Sequence, residues 1–213
     1  MQLDSVGAEA CFRLLQYIHE LKRWNQKINI IARQTDDLQI IENHFLDSLT
    51  LLPLLQRWSQ PTVLDIGTGG GFPGLVLKAA YPSLAVTLVE PREKRVSFLK
   101  HIVRNLNLEE VEIISDRIKK RQPLPKALQN RKFDLVTSRA LTDAAAFLPM
   151  AEPLCSPGGI VVCMKGPKKE KELEVFENNN RKESSLRLLD SIEWRLPFSG
   201  KRRYLLLFGA INS

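Results

Sequence analysis

The chain has 213 residues, of which 44% are hydrophobic and 26% charged, the composition of an ordinary globular protein with one sizeable core. We expect a cytoplasmic protein without membrane contacts, because no apolar run approaches the roughly 20 residues that span a bilayer, no signal peptide is apparent, and three cysteines without a CxxC pair argue against a disulfide framework. The formal net charge of +7 favours a polyanionic partner, because lysine and arginine neutralise phosphate groups and release their counterions.

The first part of the chain shows the amphipathic pattern of helices. Apolar residues recur at helical spacing over residues 5–28, which predicts a first helix, and over residues 42–55, which predicts a second. A segment of this size is too small for a core of its own. We therefore expect a helical cap, residues 1–60, that packs on a second unit, residues 61–213.

From residue 62 onward, strand patterns alternate with helix patterns. Strands are predicted at residues 62–66, 84–89, 111–115, 132–138, 159–165, 186–194 and 203–209. Helices are predicted from residue 74 and over residues 92–105 and 142–154, with a turn at 156–158 and a polar helix or loop at 168–183. Alternation of this kind demands a mainly parallel sheet with right-handed crossovers. We predict an α/β fold: a seven-stranded, mostly parallel sheet with a terminal antiparallel hairpin and an N-terminal helical extension.

A strand, a glycine-rich turn and a helix follow one another after Pro61 and form a ligand cradle. Gly69-x-Gly71-x-x-Gly74 fits the dinucleotide fingerprint, which places a pyrophosphate on the helix N-terminus. Asp65 at the strand end opposes that ligand, because two like charges about 4 Å apart cost about 4 kcal/mol at an effective dielectric of about 20. The same carboxylate suits the ammonium and sulfonium of S-adenosylmethionine.

The pattern Asp65-x-Gly67-x-Gly69-x-Gly71 resembles motif I of the class I (Rossmann-like) methyltransferases. The terminal antiparallel hairpin is also usual in that fold. We therefore predict S-adenosylmethionine rather than NAD as the ligand, and a purely structural glycine turn is the remaining alternative.

The ends of the other strands complete the predicted cofactor site, since ligands of open α/β sheets bind outside the carboxyl ends of the strands. Glu90 ends the second strand about 20 residues after the glycine turn, the spacing of an acid that accepts ribose hydroxyls; the alternative is a solvent-exposed strand end. Asp116 and the backbone of Ile118 and Lys119 would border the adenine, unless Asp116 caps a helix. Arg139, after the fourth strand, could hold the cofactor carboxylate, a base or a phosphate, or form a structural salt bridge.

The fourth strand carries no recognised catalytic signature. The Asn/Asp-Pro-Pro-aromatic motif of exocyclic-amine methyltransferases is replaced by Ser138-Arg139-Ala140. A Pro-Cys nucleophile is also missing, because Cys155 precedes Ser156 in the predicted turn, and mid-strand Cys163 is expected in the core. No catalytic residue is assigned beyond Arg139 as a candidate positioning group.

Several segments, in chain order, resemble the bacterial GidB/RsmG family. They are Trp24-Asn25-x-x-x-Asn29-Ile30, His44-Phe45-Leu46-Asp47-Ser48-Leu49, the stretch from Asp65 to Gly74, Lys94-Arg95-Val96-x-Phe98-Leu99, Ser138-Arg139-Ala140, Lys165-Gly166 and Arg203. The resemblance implies methylation of N7 of a guanine in 16S rRNA, free or within the 30S particle, with S-adenosylmethionine. It also implies cofactor contacts by Gly67, Phe72, Glu90, Pro91, Arg92, Ile118, Lys119 and Arg139. Many family members carry acidic residues where this chain has Lys119-Lys120-Arg121.

Guanine N7 carries an exposed lone pair and no proton, so the implied reaction needs no general base and would rely on proximity, in-line alignment and fixed dipoles. Candidate RNA contacts are Lys165, Arg203 and His44. His44 would otherwise serve helix packing, and Trp24 would either stack on a base or pack in the core. We expect a monomer without a metal site. The alternatives are a small-molecule methyltransferase with the same donor site and a non-catalytic RNA- or nucleotide-binding module.

Overall fold

A seven-stranded sheet forms the centre of the computed structural model, which describes residues 6–139, 143–166 and 184–210. Its strands are β1 Thr62–Ile66, β2 Ala85–Val89, β3 Val111–Ile114, β4 Phe133–Arg139, β5 Cys155–Lys165, β6 Arg187–Arg195 and β7 Arg202–Gly209. They lie in the order β3-β2-β1-β4-β5-β7-β6. β1 to β5 pair in parallel, whereas β7 is antiparallel to both β5 and β6. The predicted α/β fold with a terminal antiparallel hairpin is confirmed.

Helices cover both faces of the sheet. They are α1 Ala8–Asn25, α2 Asp37–Ile40, α3 Asp47–Leu49, α4 Leu52–Leu55, α5 Gly74–Ala80, α6 Glu93–Asn105 and α7 Ala144–Ala151. Side chains alternate across the strands, so Leu205 and Leu207 of β7 join one hydrophobic cluster while Leu206 and Phe208 join the other. The first cluster contains α1, α5 and α6, and the second contains α7. None of the described helices is long and apolar enough to cross a membrane.

The second predicted helix begins earlier than expected and is interrupted. Asp36 caps α2 by accepting the backbone N–H of Gln39 at 2.8 Å, which moves the helix start ahead of residue 42. A π-helical turn, Ile41–Leu46, joins α2 to α3. Pro53 stands in the first turn of α4, where a proline loses no intrahelical hydrogen bond.

The N-terminal helices share the core of the sheet. Leu14, Tyr17 and Leu21 of α1 belong to the same hydrophobic cluster as Leu75 of α5 and Phe98 of α6. Tyr17 and Leu21 are completely buried. Residues on both sides of the expected boundary at residue 60 are therefore buried together.

The turn predicted at residues 156–158 lies within β5. Phe133 of β4 pairs with Cys155, but Leu135 pairs with Ile160, so β5 carries extra residues between these two pairs. Such an irregularity lengthens one strand without ending it. The polar segment predicted at 168–183 lies outside the described residues.

Candidate functional site

A cavity of about 660 Å³ opens at the carboxyl ends of β1, β2, β3 and β4. The sheet order reverses direction between β1 and β4, which is the switch point where α/β sheets bind ligands. The predicted cofactor residues that line this cavity are Gly67, Gly69, Phe72, Glu90, Pro91, Arg92, Ile118, Lys119 and Arg139. His44, predicted as an RNA contact, lines it as well.

Some lining residues were not predicted as cofactor contacts. Ile30 and Ile31 reach the cavity from the segment after α1, and Arg95 reaches it from the first turns of α6. Arg95 lies three residues after Arg92, the spacing at which helical side chains share a face, and this spacing could have indicated it. The position of Ile30 depends on how the N-terminal segment packs, which the local sequence pattern does not define.

Asp65 and Gly71, predicted as cofactor contacts, do not line the cavity. The Asp65 side chain is fully buried, and its Oδ2 accepts the Thr68 hydroxyl at 2.6 Å and the backbone N–H of Gly74 at 2.9 Å. Gly71 has a φ of +86°, and a Cβ there would lie 2.1 Å from the Tyr17 hydroxyl. Both residues therefore support the conformation of the glycine turn on the side that faces away from the cavity.

The buried position of the Asp65 carboxyl is energetically unfavourable for its ionised form. Burial raises its pKa to about 6, although the hydrogen bonds from Thr68 and Gly74 oppose this shift. Its Oδ1 is buried and has no hydrogen-bond partner within the described part of the chain. An ionised Asp65 would therefore place an incompletely compensated negative charge directly behind the turn, which favours a cationic ligand in the cavity.

Glu90 connects the glycine turn to the start of α6. Its Oε2 accepts the backbone N–H of Gly69 at 3.0 Å, and its Oε1 accepts that of Arg92 at 2.9 Å. Arg95 Nη1 lies 3.8 Å from Oε2. Each carboxylate oxygen has a further acceptor site, so Glu90 can hold this loop and still accept ligand hydroxyls.

Asp116 lines the cavity beyond the end of β3. Its carboxylate accepts the backbone N–H of Arg117 at 2.7 Å. The next described helical segment is a 3-10 turn at Lys126–Leu128, so the alternative in which Asp116 caps a helix is wrong. Ile118 provides a buried apolar wall beside it.

Aromatic rings join the glycine turn to the N-terminal helices. Phe72 stacks on Tyr17 with 5.9 Å between ring centroids, and on His44 with 4.9 Å. The Tyr17 hydroxyl donates to the carbonyl of Gly70 at 2.5 Å. α1 therefore fixes the conformation of the turn from the side opposite the cavity.

Arg139 binds the N-terminal segment and also lines the cavity. Its Nη1 donates to the carbonyl of Asn43 at 2.6 Å, and its Nη2 donates to His44 Nδ1 at 2.9 Å. Asp47 Oδ2 lies 3.5 Å from Nη1. The guanidinium carbon is also 4.9 Å from the centroid of the Phe72 ring. Arg139 therefore forms the structural salt bridge that was the alternative to ligand binding, and it also lines the cavity.

The other residues proposed to contact RNA do not line the cavity. Arg203 Nη2 donates to Asn43 Oδ1 at 3.1 Å, and its Nε lies 3.6 Å from Asp47 Oδ1, so it holds the cap against β7. Lys165 ends β5 and pairs with Tyr204 of β7.

Two further expectations concern the core. Trp24 packs against Phe98 at 5.7 Å and His101 at 5.2 Å between ring centroids, which supports its core-packing role. Cys163 is buried within β5, as predicted. No cluster of metal-ligating side chains occurs among residues 6–139, 143–166 and 184–210.

The cavity fits the predicted methyl donor. Gly67 and Gly69 have φ values of +73° and +59°, so the turn brings bare backbone to the cavity. Glu90 offers acceptors for a ribose, while Ile118 beside Asp116 offers an apolar and a polar contact for a base. The acid behind the turn complements a cationic ligand.

Comparison with known proteins gives a consistent assignment. The family model GidB, described as rRNA small subunit methyltransferase G, matches residues 10–192. "Ribosomal RNA small subunit methyltransferase G" of Desulfotalea psychrophila is 46% identical, covering 97% of this chain and 91% of its own. The protein of the same name from Syntrophus aciditrophicus is 40% identical, covering 92% and 80%.

Solved structures share the fold at low sequence identity. A SAM-dependent methyltransferase from Aquifex aeolicus superposes with a TM-score of 0.58 at 22% identity, covering 83% of this chain and 95% of its own. TrmN from Thermus thermophilus gives a TM-score of 0.59 at 17% identity, covering 77% and 48%. These neighbours confirm the class I methyltransferase fold that the sequence predicted.

Tyr17→Phe should destabilise the protein by about 1–3 kcal/mol, because it retains the aromatic packing but leaves the Gly70 carbonyl without its donor. Urea unfolding monitored by circular dichroism measures this loss. The control is Tyr81→Phe, since the Tyr81 hydroxyl makes no hydrogen bond within the described residues, and it should change stability by less than about 0.5 kcal/mol. Equal effects of the two variants would refute a special role for Tyr17.

The free energy of unfolding of Asp65→Asn should rise relative to that of the wild type as the pH increases from about 4 to 7. The unfolded aspartyl group ionises near 3.9, whereas the buried group ionises near pH 6. Ionisation above the unfolded pKa therefore favours the unfolded wild-type chain, and this penalty is complete once the pH exceeds the folded pKa. The free energy of unfolding of variant and wild type, compared at several pH values, tests this. A difference that does not change with pH contradicts it.

Proposed function

This chain belongs to the GidB family of rRNA small subunit methyltransferases G, and we propose that it transfers a methyl group from S-adenosylmethionine to N7 of a guanine in 16S rRNA. The family relationship supports the rRNA substrate, and the net charge of +7 suits a polyanionic partner. The chemistry at the β4 end of the cavity supports the choice of N7.

The cavity residues suggest how the donor lies. Glu90 would accept the ribose hydroxyls, while Asp116, Ile118 and the backbone of Lys119 would border the adenine at the β2 and β3 ends. The methionine part would then extend along the glycine turn toward β4, where Arg139 can bind its carboxylate. Gly67, Gly69, Phe72, Pro91 and Arg92 would complete the cofactor contacts.

The single observation that carries the N7 assignment is the lack of an available base at the β4 end, among the described residues. The polar side chains that line this end are Arg139 and His44. A guanidinium has no proton-accepting lone pair, and His44 Nδ1 already accepts from Arg139. Neither of these two side chains therefore offers an acceptor to a nucleophile that must lose a proton, whereas guanine N7 attacks with a free lone pair.

The reaction requires alignment rather than proton transfer. S-adenosylmethionine supplies a methyl group on a sulfonium; the N7–carbon bond forms as the carbon–sulfur bond breaks, and the electron pair of that bond stays on sulfur. Positive charge thereby moves from the donor to the base. The residues of this chain would hold the two reactants in line and exclude water.

The remaining parts of the proposal concern the RNA side and the organisation of the chain. Lys165 and Arg203 stay candidate RNA contacts, with Arg203 also bracing Asp47. Residues 1–60 would act as a cap on the methyltransferase unit 61–213, within one compact monomer that works in the cytoplasm. Either free 16S rRNA or the 30S particle would be the substrate.

The proposal is tested by transfer of a tritiated methyl group from S-adenosylmethionine to 30S particles and to free 16S rRNA. We expect labelled 16S rRNA that breaks at one guanine after borohydride reduction and aniline treatment, which cleave at 7-methylguanosine. The absence of label in both preparations refutes rRNA methylation. Label without cleavage refutes N7 as the acceptor.

Glu90→Gln should weaken donor binding about 5- to 150-fold, corresponding to about 1–3 kcal/mol for the loss of charge-assisted hydrogen bonds. Isothermal titration calorimetry with S-adenosylmethionine measures this change. Glu93→Gln is the matched control, because Glu93 is an exposed carboxylate three residues farther along the chain. Unchanged affinity in Glu90→Gln would remove Glu90 from the donor site.

A further inference from the structure

His44 lies where the N-terminal cap meets the cavity. The π-helical turn Ile41–Leu46 carries it, and its ring stacks on Phe72 with 4.9 Å between centroids and 27° between planes. It lines the cavity on the same side as Arg139. This is the end toward which the methionine part of the donor, and so the transferred methyl group, would extend.

The hydrogen bond to Arg139 determines which ring nitrogen of His44 carries the proton. Arg139 Nη2 lies 2.9 Å from His44 Nδ1. A guanidinium donates and never accepts, so Nδ1 must be the acceptor, and a neutral imidazole then carries its single proton on Nε2. Burial, followed by the positive charges of Arg139 and Arg203, lowers the pKa of His44 to about 3, so the ring stays neutral.

The Nε2–H group is available to a ligand. Nε2 makes no hydrogen bond with any residue that the structure describes. It is also not one of the buried polar atoms that lack a partner, so it is accessible. Two contacts, the Phe72 stack and the Arg139 hydrogen bond, prevent the ring from turning freely. The His44 side chain, which lines the cavity, therefore offers one uncharged donor on a ring whose orientation is restrained.

We propose that His44 determines specificity for guanine: its Nε2–H donates to O6 of the target base while N7 faces the donor methyl group. This inference rests on the proposed function. Guanine presents N7 and O6 side by side as acceptors, whereas adenine presents an N6 amino donor beside N7. An Nε2–H group thus binds guanine and opposes an adenine amino group.

A neutral donor is better suited to this position than a cation. Methylation at N7 makes the base positively charged, and a charged donor at O6 would raise the energy of that product in a partly buried site. Arg139 is nearby, but Asp47 Oδ2 lies 3.5 Å from it and offsets its charge. His44 can therefore recognise O6 without adding repulsion as the charge moves.

The test uses 16S rRNA in which the methylated guanosine, once mapped, is replaced by 2-aminopurine riboside, which keeps N7 and the 2-amino group but lacks O6. The wild-type enzyme should show kcat/KM about 10-fold or more lower on this RNA. His44→Asn can still accept from Arg139 but has no donor at the Nε2 position, whereas the longer His44→Gln retains one. We expect His44→Asn to lose about 10-fold on guanosine RNA with little further loss on 2-aminopurine RNA, and His44→Gln to recover part of the discrimination.

Calorimetry with S-adenosylmethionine separates this role from a structural one, since both variants should bind the donor within about 3-fold of the wild type. Equal losses of both variants on both RNAs would show that His44 only supports the fold. Equal wild-type kcat/KM on the two RNAs would overturn the inference even if neither variant folds. Both results leave guanine methylation by the wild type intact, whereas a wild type that fails to methylate guanine N7 refutes the proposed function itself.

Discussion

The closure of the glycine turn by Asp65 is the interaction on which the rest of the site depends. Gly67, Gly69 and Gly71 all have positive φ, so the turn has little conformational preference of its own. Asp65 Oδ2 joins the Thr68 hydroxyl to the first N–H of α5, and Glu90 holds Gly69 from the cavity side. Two buried carboxylates thus fix the bare backbone, and Asp65 does so at an electrostatic cost that a cationic donor would offset.

The N-terminal helices are part of the site rather than an independent module. Tyr17 supports the turn through the Gly70 carbonyl, and Phe72 continues the same aromatic stack to His44. Arg139 then joins β4 to the carbonyl of Asn43. Because these contacts link the glycine turn to the β4 end of the cavity, displacement of the cap would change both at once.

The sequence predicted what depends on local patterns. Continuous apolar runs bounded by turn residues predicted the strand ends to within one or two residues, apart from the earlier start of β5. The rule that ligands bind at the carboxyl ends of strands predicted Glu90 and Arg139 at one site, and both line the same cavity. The sequence could not predict which way Asp65 points, because an acid at a buried strand end can face either the ligand or the chain behind the turn. Nor could it place Gly71 against Tyr17, a contact between residues far apart in sequence. The irregularity in β5 depends likewise on its pairing with β4.

The arrangement of charge across the cavity matches the direction in which charge would move. The incompletely compensated carboxyl of Asp65 lies behind the turn, on the side where the positively charged sulfonium of the donor would lie. On the acceptor side, Asp47 lies within 3.5 Å of Arg139 and 3.6 Å of Arg203, so both cations there are paired. A base that becomes positive would thus meet paired charges and the neutral His44 ring rather than a free cation. The cap supplies both His44 and Asp47, and it would therefore favour a positively charged product on this side of the cavity.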